Sequence, residues 1–356
     1  MKTPNKPLVV FRCDGGDLPE TGTGHIRRCL NLAIHLRNSY NIESRFIIRD
    51  LNGRPPFVIN YKFAVHLLPP VNEWQPLALK IVDRLNPQLV VVDMLDKGDT
   101  FLKILKEKLP DIPTLTFDDT DDGIKNASIS INGIMEHPAA DFSGPDYVIL
   151  SSGSEAPMIP RREVKEIFLC FGGYDHNHLT KKSIKALCNL NRKIKVTAVV
   201  GHSFSYDTSD PNSYSCANIL GLDIIRETSN IGYLIKKADI GIVSGGLTLY
   251  EALHCGLPTI ALNQYRHQTE TAENFAKKGA TINLGLGSET NIETIAEAVK
   301  SLMNNYAQRM ALSKQARGLV DGKGLHRIAE IINNALSAKQ SFEKFAKDDM
   351  KETLAI

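Results

Sequence analysis

The feature that most constrains the fold is a repeated unit: a short apolar run of strand type, a glycine-bearing loop, then a stretch with helical periodicity. Leu8-Val9-Val10-Phe11 leads into a polar, glycine-rich loop over 14–24. A helix begins near His25, with Ile26, Leu30, Ala33 and Ile34 on its apolar side. Strand-type runs follow at 44–48, 64–68 and 89–92, the last ending at Asp93, then a helix over 97–108 and a strand over 114–117. A Gly-, Ser- and Pro-rich stretch over 142–160 separates this series from a second one. The second opens with Ile167-Phe168-Leu169-Cys170-Phe171 and runs straight into Gly172-Gly173. It continues with a helix over 180–190, a strand over 195–200 and Ile240-Gly241-Ile242-Val243, which leads into Ser244-Gly245-Gly246. A helix through Leu253, a strand over 258–262 and helices over 269–278 and 324–339 complete it. Strands alternating with helices predict parallel sheets with crossover helices. Two such series predict an α/β protein of two Rossmann-like domains facing each other across a cleft. The expected boundaries are 1–155 and 162–335, with a helical tail over 336–356 that returns toward the first domain.

Composition narrows the function classes. Forty-two Lys and Arg against 40 Asp and Glu leave a net charge of +2, without the basic stripe that nucleic-acid binding requires. The first ten residues are too short and too proline-broken for a secretory or membrane-spanning segment. The six cysteines are scattered, with no C-x-x-C pair; Cys13, Cys170 and Cys188 lie in apolar surroundings and read as small core thiols. These features predict a cytoplasmic enzyme in a reducing compartment, with no stable membrane insertion. The sequence leaves the oligomeric state open.

Three glycine loops sit between a strand and a helix: Thr21-Gly22-Thr23-Gly24-His25, Phe171-Gly172-Gly173-Tyr174-Asp175 and Ser244-Gly245-Gly246-Leu247-Thr248. Open α/β sheets bind ligands beyond the carboxyl ends of their strands, and helix N-termini stabilise phosphate through backbone N–H groups. Neither G-x-G-x-x-G nor a Walker loop occurs, so no dinucleotide cofactor is expected. In the third loop Thr248 is placed to cap the helix and to meet a phosphate oxygen. Glu251, one turn on, is placed to accept from the hydroxyls of a ribose. The alternative is a capping box in which Glu251 bonds the Thr248 N–H and does nothing more.

His25, at the join of loop and helix, has the side chain best suited to proton transfer near neutrality. It is either a general base or a polar helix-start residue. Asp14, Asp17 and Glu20 precede it and are candidates to orient it. The run Asp118-Asp119-Thr120-Asp121-Asp122 matches no complete calcium loop and is expected to be a solvated acidic connection. His176 and His178 lack companions for zinc, so no metal is expected.

The motif set resembles a known family. Thr21-Gly22-Thr23-Gly24-His25-Ile26-Arg27-Arg28-Cys29-Leu30, Val91-Val92-Asp93, Phe117-Asp118-Asp119, Phe171-Gly172-Gly173-Tyr174-Asp175, Ser244 to Glu251, Cys255-Gly256-Leu257-Pro258 and Asp321 to Arg327 fall in the order found in the UDP-sugar hydrolases of pseudaminic acid biosynthesis. These are relatives of the lipid-linked N-acetylglucosaminyltransferase with the glycosyltransferase-B architecture. The resemblance implies a UDP-activated amino sugar as partner and His25 as the catalytic group; Asp14, from the loop before it, is the residue expected to orient it. It implies a substrate-binding set of Gly24, Gly172, Gly173, Ser244, Gly245, Gly246, Thr248, Glu251, His267 and Gln268. Gly245 and Gly246 would hold the diphosphate without an obligatory divalent cation, and Glu251 the ribose. The chain departs from the pattern in its longer loop over 15–20. It also carries Asn263-Gln264 early, with His267-Gln268 better placed where the hydrolases show Asn-Gln. Hydrolysis at the sugar C1–oxygen bond is the expected reaction, with water activated by His25. Transfer to an acceptor hydroxyl is the alternative, and a non-catalytic nucleotide-sugar binder the third.

Overall fold

The computed structural model describes residues 6–14, 24–49, 57–94, 98–134, 136–151, 158–201, 216–226, 228 and 230–353. They form two compact units, one of residues up to Ile149 together with 323 onward, the other Leu150–Gly322.

In the first unit, β1 (Leu8–Cys13), α1 (Gly24–Tyr40), β2 (Glu43–Arg49), β3 (Ala64–Leu68), α2 (Gln75–Leu85), β4 (Leu89–Asp93), α3 (Gly98–Lys108), β5 (Thr114–Phe117), α4 (Asp121–Asn126), β6 (Ile129–Asn132) and β7 (Phe142–Ser143) alternate along the chain. The sheet order is β3-β2-β1-β4-β5-β6-β7, and its pairs are parallel. A parallel sheet covered on both faces needs strands that are apolar throughout, and β4, Leu-Val-Val-Val-Asp, is buried at every position. On one face Ile26, Cys29, Leu30, Ala33 and Leu36 of α1 join Val9, Phe11, Phe46 and Val91 in a core. On the other, Trp74, Ala78 and Val82 around α2 pack with Phe101, Leu102 and Leu105 of α3. Trp74 and Phe101 meet at 5.1 Å between ring centroids.

The second unit repeats the scheme with β8 (Glu166–Cys170), α5 (Leu179–Cys188), β9 (Ile194–Val200), β10 (Ile219–Arg226), α6 (Ile231–Lys237), β11 (Ile240–Val243), α7 (Leu247–Cys255), β12 (Thr259–Asn263), α8 (Arg266–Lys277), β13 (Ile282–Leu286), α9 (Ile292–Asn304) and α10 (Tyr306–Leu319). Its order, β10-β9-β8-β11-β12-β13, is again that of a Rossmann-like sheet, and its pairs are parallel.

The last helix, α11 (Gly324–Thr353), belongs to the first unit, so the expected boundary of 162–335 is corrected. Ile328, Ala329, Ile332 and Leu336 bury themselves in the same core as α1. Gly324 opens the helix against the backbone of Val148, where a Cβ would lie 2.3 Å from the carbonyl oxygen. A second correction concerns Cys188, which forms a disulfide with Cys216 rather than standing as a core thiol. Among the described residues no helix is long and apolar enough to cross a membrane.

Candidate functional site

In each sheet the strand order reverses at one place, between β1 and β4 in the first unit and between β8 and β11 in the second. Crevices for ligands open beyond the carboxyl ends of strands at such switch points. In both units the sequence's candidate residues gather there.

In the first unit, register pairs Cys13 with Asp93 at the ends of β1 and β4. His25 is the second residue of α1 and is partly exposed, while Asp93 is fully buried. His25 Nδ1 lies 2.6 Å from Asp93 Oδ1. With a carboxylate on that side, Nδ1 carries the proton and donates it, which leaves Nε2 as the ring's acceptor. Asp93 Oδ1 also accepts from Arg28 Nη2 at 2.7 Å, and Oδ2 accepts from Arg28 Nε at 2.9 Å and from the Cys29 thiol at 3.5 Å. Arg28 Nη1 donates to Asp118 Oδ2 beyond the end of β5, and the guanidinium lies over the Phe117 ring at 4.8 Å. Burial alone would raise the Asp93 carboxyl, but Arg28 and His25 beside it hold it well below the usual carboxylate range.

Asp14 is not the group that orients His25. Its carboxylate is bound by Arg12 Nη1 at 2.5 Å and Nη2 at 3.0 Å, and by Arg49 Nε at 2.6 Å and the Arg49 N–H at 3.0 Å. Arg12, fully buried, stacks over Trp74 at 4.0 Å. Burial acts to raise the Asp14 carboxyl, and the two arginines outweigh it and hold it below its ordinary value. Asp14 therefore ties β1 to the end of β2, while the partner of His25 comes from β4. Gly24 opens α1, exposed, with nothing within 4 Å of the place a Cβ would take. Asp17, Glu20, the longer loop over 15–20 and Thr21 to Thr23 lie outside the described residues.

The acidic run after β5 is not simply a solvated loop at its start. Asp118, at φ 46°, accepts from the Ile134 N–H at 2.8 Å as well as from Arg28. Asp119 accepts from Thr116 and from its own neighbour's N–H at Thr120. Among the described residues no group of three His, Cys, Asp or Glu side chains is placed to hold a metal ion.

In the second unit, Gly172 and Gly173 follow β8 and are exposed. Ser244, Gly245 and Gly246 follow β11. A Cβ on Gly245 would lie 2.1 Å from the carbonyl oxygen of Gln268, and its N–H donates to Asn263 Oδ1 at 2.8 Å. Only glycine fits there. Gly246, not Thr248, is the N-cap of α7, so the expected threonine cap is corrected. Thr248 stands in the first turn with its hydroxyl 3.6 Å from the Cys170 sulfur. Glu251 is buried and accepts from the Ser151 N–H at 3.3 Å, a partner other than the Thr248 N–H of a capping box. Burial pushes its carboxyl up to about 7, against the lowering effect of Ser151.

The loop after β12 completes this edge. Helix α8 begins at Arg266, three residues earlier than expected, which places His267 and Gln268 in its first turn. Gln268 Oε1 accepts from the Gln264 N–H at 3.0 Å, and its Nε2 lies 3.6 Å from the Cβ position of Gly246. His267, exposed, stacks on Tyr265 at 5.7 Å. Gln264 binds Asp175 Oδ1 at 2.6 Å and accepts from the Asn177 N–H at 3.1 Å. Asp175 in turn caps α5 through the Leu179 and Thr180 N–H groups. Gln264 thus ties the Gly172-Gly173 loop to the one bearing Gln268, a role the sequence alone did not single out.

Two parallel Rossmann-like domains in one chain define the glycosyltransferase-B fold. Acinetobacter baumannii MurG shares it, with a TM-score of 0.71 at 14% identity, over 92% of this chain and 100% of that one. The glycosyltransferase family 28 C-terminal domain matches residues 170–334. Among curated proteins, the spore coat polysaccharide biosynthesis protein SpsG of Bacillus subtilis (strain 168) is 28% identical over 342 residues, 92% of this chain and 98% of its own. The UDP-N-acetylglucosamine--N-acetylmuramyl-(pentapeptide) pyrophosphoryl-undecaprenol N-acetylglucosamine transferase of Roseiflexus sp. (strain RS-1) is 26% identical over 145 residues, 39% of this chain and 32% of its own. These likenesses overturn the expected hydrolase: the family model that matches describes a glycosyltransferase domain, and the Roseiflexus relative is named as a transferase.

Proposed function

We propose that the protein is a glycosyltransferase that moves a sugar from a UDP-activated donor to an acceptor hydroxyl, as a step in building a cell-surface polysaccharide. The observation that carries this reading is the switch-point edge of the second unit. There Gly245 leaves no room for a side chain, Gly246 caps α7, and Glu251 waits one turn on. Backbone N–H groups at a helix start stabilise a diphosphate, and a buried carboxylate accepts from a ribose. The names of the Bacillus and Roseiflexus relatives support a polysaccharide pathway and a UDP-amino sugar donor. The motif resemblance supports a deoxy amino sugar of the kind used for nonulosonic acids. Gly172, Gly173, Ser244 and Thr248 line the diphosphate, and His267 and Gln268 meet the sugar.

In this reading His25 Nε2 takes the proton of the acceptor hydroxyl as its oxygen attacks C1 of the sugar. The C1–oxygen bond to the diphosphate breaks, and its electron pair leaves with UDP. The leaving group needs charge stabilisation rather than a proton, which loop N–H groups provide. Asp93 keeps the His25 ring in the tautomer that the step requires. The test is a panel of UDP-sugars incubated with candidate polysaccharide and lipid-linked acceptors, with a chelator present. UDP release that rises with acceptor, together with a glycosylated product, is the expected result. The reading is lost if no UDP-sugar binds, or if release ignores every acceptor.

A further inference from the structure

We infer that Arg28 is a positioning residue: its fork, anchored on Asp118, fixes the plane of the Asp93 carboxylate and thereby holds the His25 ring in a single tautomer with Nε2 presented. This rests on the reading of His25 as the base. The geometry is specific. Arg28 meets Asp93 side-on, with Nε on one carboxylate oxygen and Nη2 on the other. A bidentate pair of this kind fixes orientation as well as charge. The remaining places on that carboxylate go to His25 on Oδ1 and to the Cys29 thiol on Oδ2, so rotating it would break several bonds together. The third guanidinium nitrogen reaches Asp118, which is itself held by the Ile134 N–H. A chain of contacts therefore runs from the segment after β6, through the ends of β5 and β4, to His25.

Charge points the same way. Asp93, Asp118 and Arg28 together carry one net negative charge. A proton arriving on His25 as an acceptor is deprotonated neutralises it. Burial acts to loosen the Arg28 proton, but Asp93 and Asp118 more than offset it and keep the guanidinium charged. Among the described residues, the charged or titratable groups set around the dyad are Arg28 and Cys29 from α1, Cys13 from β1, Asp93 from β4, and Asp118 and Asp119 beyond β5.

The experiment is nitrogen NMR of histidine-labelled protein, with the His25 signals assigned by their loss in His25→Asn, alongside steady-state kinetics. At a pH where the ring is neutral, the intact protein should carry the His25 proton on Nδ1 alone. Arg28→Gln should populate both tautomers and lower kcat by roughly 10²-fold, the scale of a small misplacement of a reacting group, with donor KM unchanged. Arg28→Lys should not restore either readout, because one ammonium lacks the planar fork. Asp118→Asn leaves the Arg28–Asp93 pair in place and should fall between the parent and Arg28→Gln; it carries the test if Arg28→Gln does not fold. Unchanged tautomer and unchanged kcat in a folded variant would overturn the inference. A scrambled tautomer with unchanged kcat would instead leave Arg28 as the positioner and remove His25 as the base.

Discussion

Asp93 closes β4 with its carboxylate 2.6 Å from Nδ1 of His25, across a gap of 68 residues in the chain. A strand end and a helix start meet there because β4 lies beside β1 in the sheet. This arrangement orients one ring nitrogen from below and leaves the other for chemistry. Replacing His25 with Asn should preserve folding and UDP binding yet lower transfer by roughly 10²–10⁴-fold, the span of general acid–base assistance. Calorimetry with UDP and a coupled UDP-release assay check the two halves. Near-wild-type transfer would take His25 out of the mechanism.

Much of this was legible in the chain because parallel strands buried on both faces read as unbroken apolar runs. The runs that became β4 and β11 stand out for that reason, and the glycine loops beyond β8 and β11 fell where ligands gather. What did not show was pairing across distance. Asp93 was visible as a carboxylate ending an apolar strand, but only the strand order brings it beneath His25, so the nearer Asp14 took its place. Arg12 and Arg49, which claim Asp14, carried no signal of burial in a chain where long basic side chains are usually exposed. Strands with mixed burial escaped as well. β10 is interrupted by Gly221, and β13 contains Gly285 at φ 79°. The start of α8 is not marked in the sequence, because Tyr-Arg-His-Gln offers no apolar period.

Gly245 lies so close against the Gln268 carbonyl that an added Cβ would come within 2.1 Å of its oxygen. Gly245→Ala must push the start of α8 away, at a cost of about 1–3 kcal/mol for an overpacked site. The same shift displaces Gln268 from Gly246, so UDP affinity should fall while acceptor affinity holds. Thermal denaturation and UDP titration measure the two effects. A fully stable Ala variant that binds UDP normally would contradict the close approach.

Cys188 ends α5, Cys216 leads into β10, and their disulfide spans 28 residues. Closing a loop of that length restricts the unfolded chain, which in the entropy description is worth about 3–4 kcal/mol. Oxidised protein should therefore lose about that much stability on Cys188→Ser, read from urea midpoints. Fully reduced protein should lose far less. Cys13, Cys29, Cys170 and Cys255, buried and free, should stay unreactive to alkylating agents until unfolding.

Glu251 gives the sharpest dependence on pH. Its carboxyl is raised from 4.5 to about 7 by burial, outweighing the Ser151 N–H. The folded state therefore binds a proton that the unfolded chain has already released between those two values, and stability falls as pH rises through that window. Its share of stability is whole below pH ~4.5 and lost by the time pH has passed ~7, a swing of about 3 kcal/mol. Glu251→Gln cannot ionise, so the ligand-free variant should be more stable than the parent at pH 8 and about equal to it at pH 4.5. UDP should invert the order at pH 8, because an amide accepts from the ribose hydroxyls less strongly than a carboxylate. Urea denaturation at both pH values, with and without UDP, reads all four states. A variant less stable than the parent at pH 8 without UDP would show that the carboxylate is well solvated in the fold, and a variant that binds UDP undiminished would remove Glu251 from the ribose.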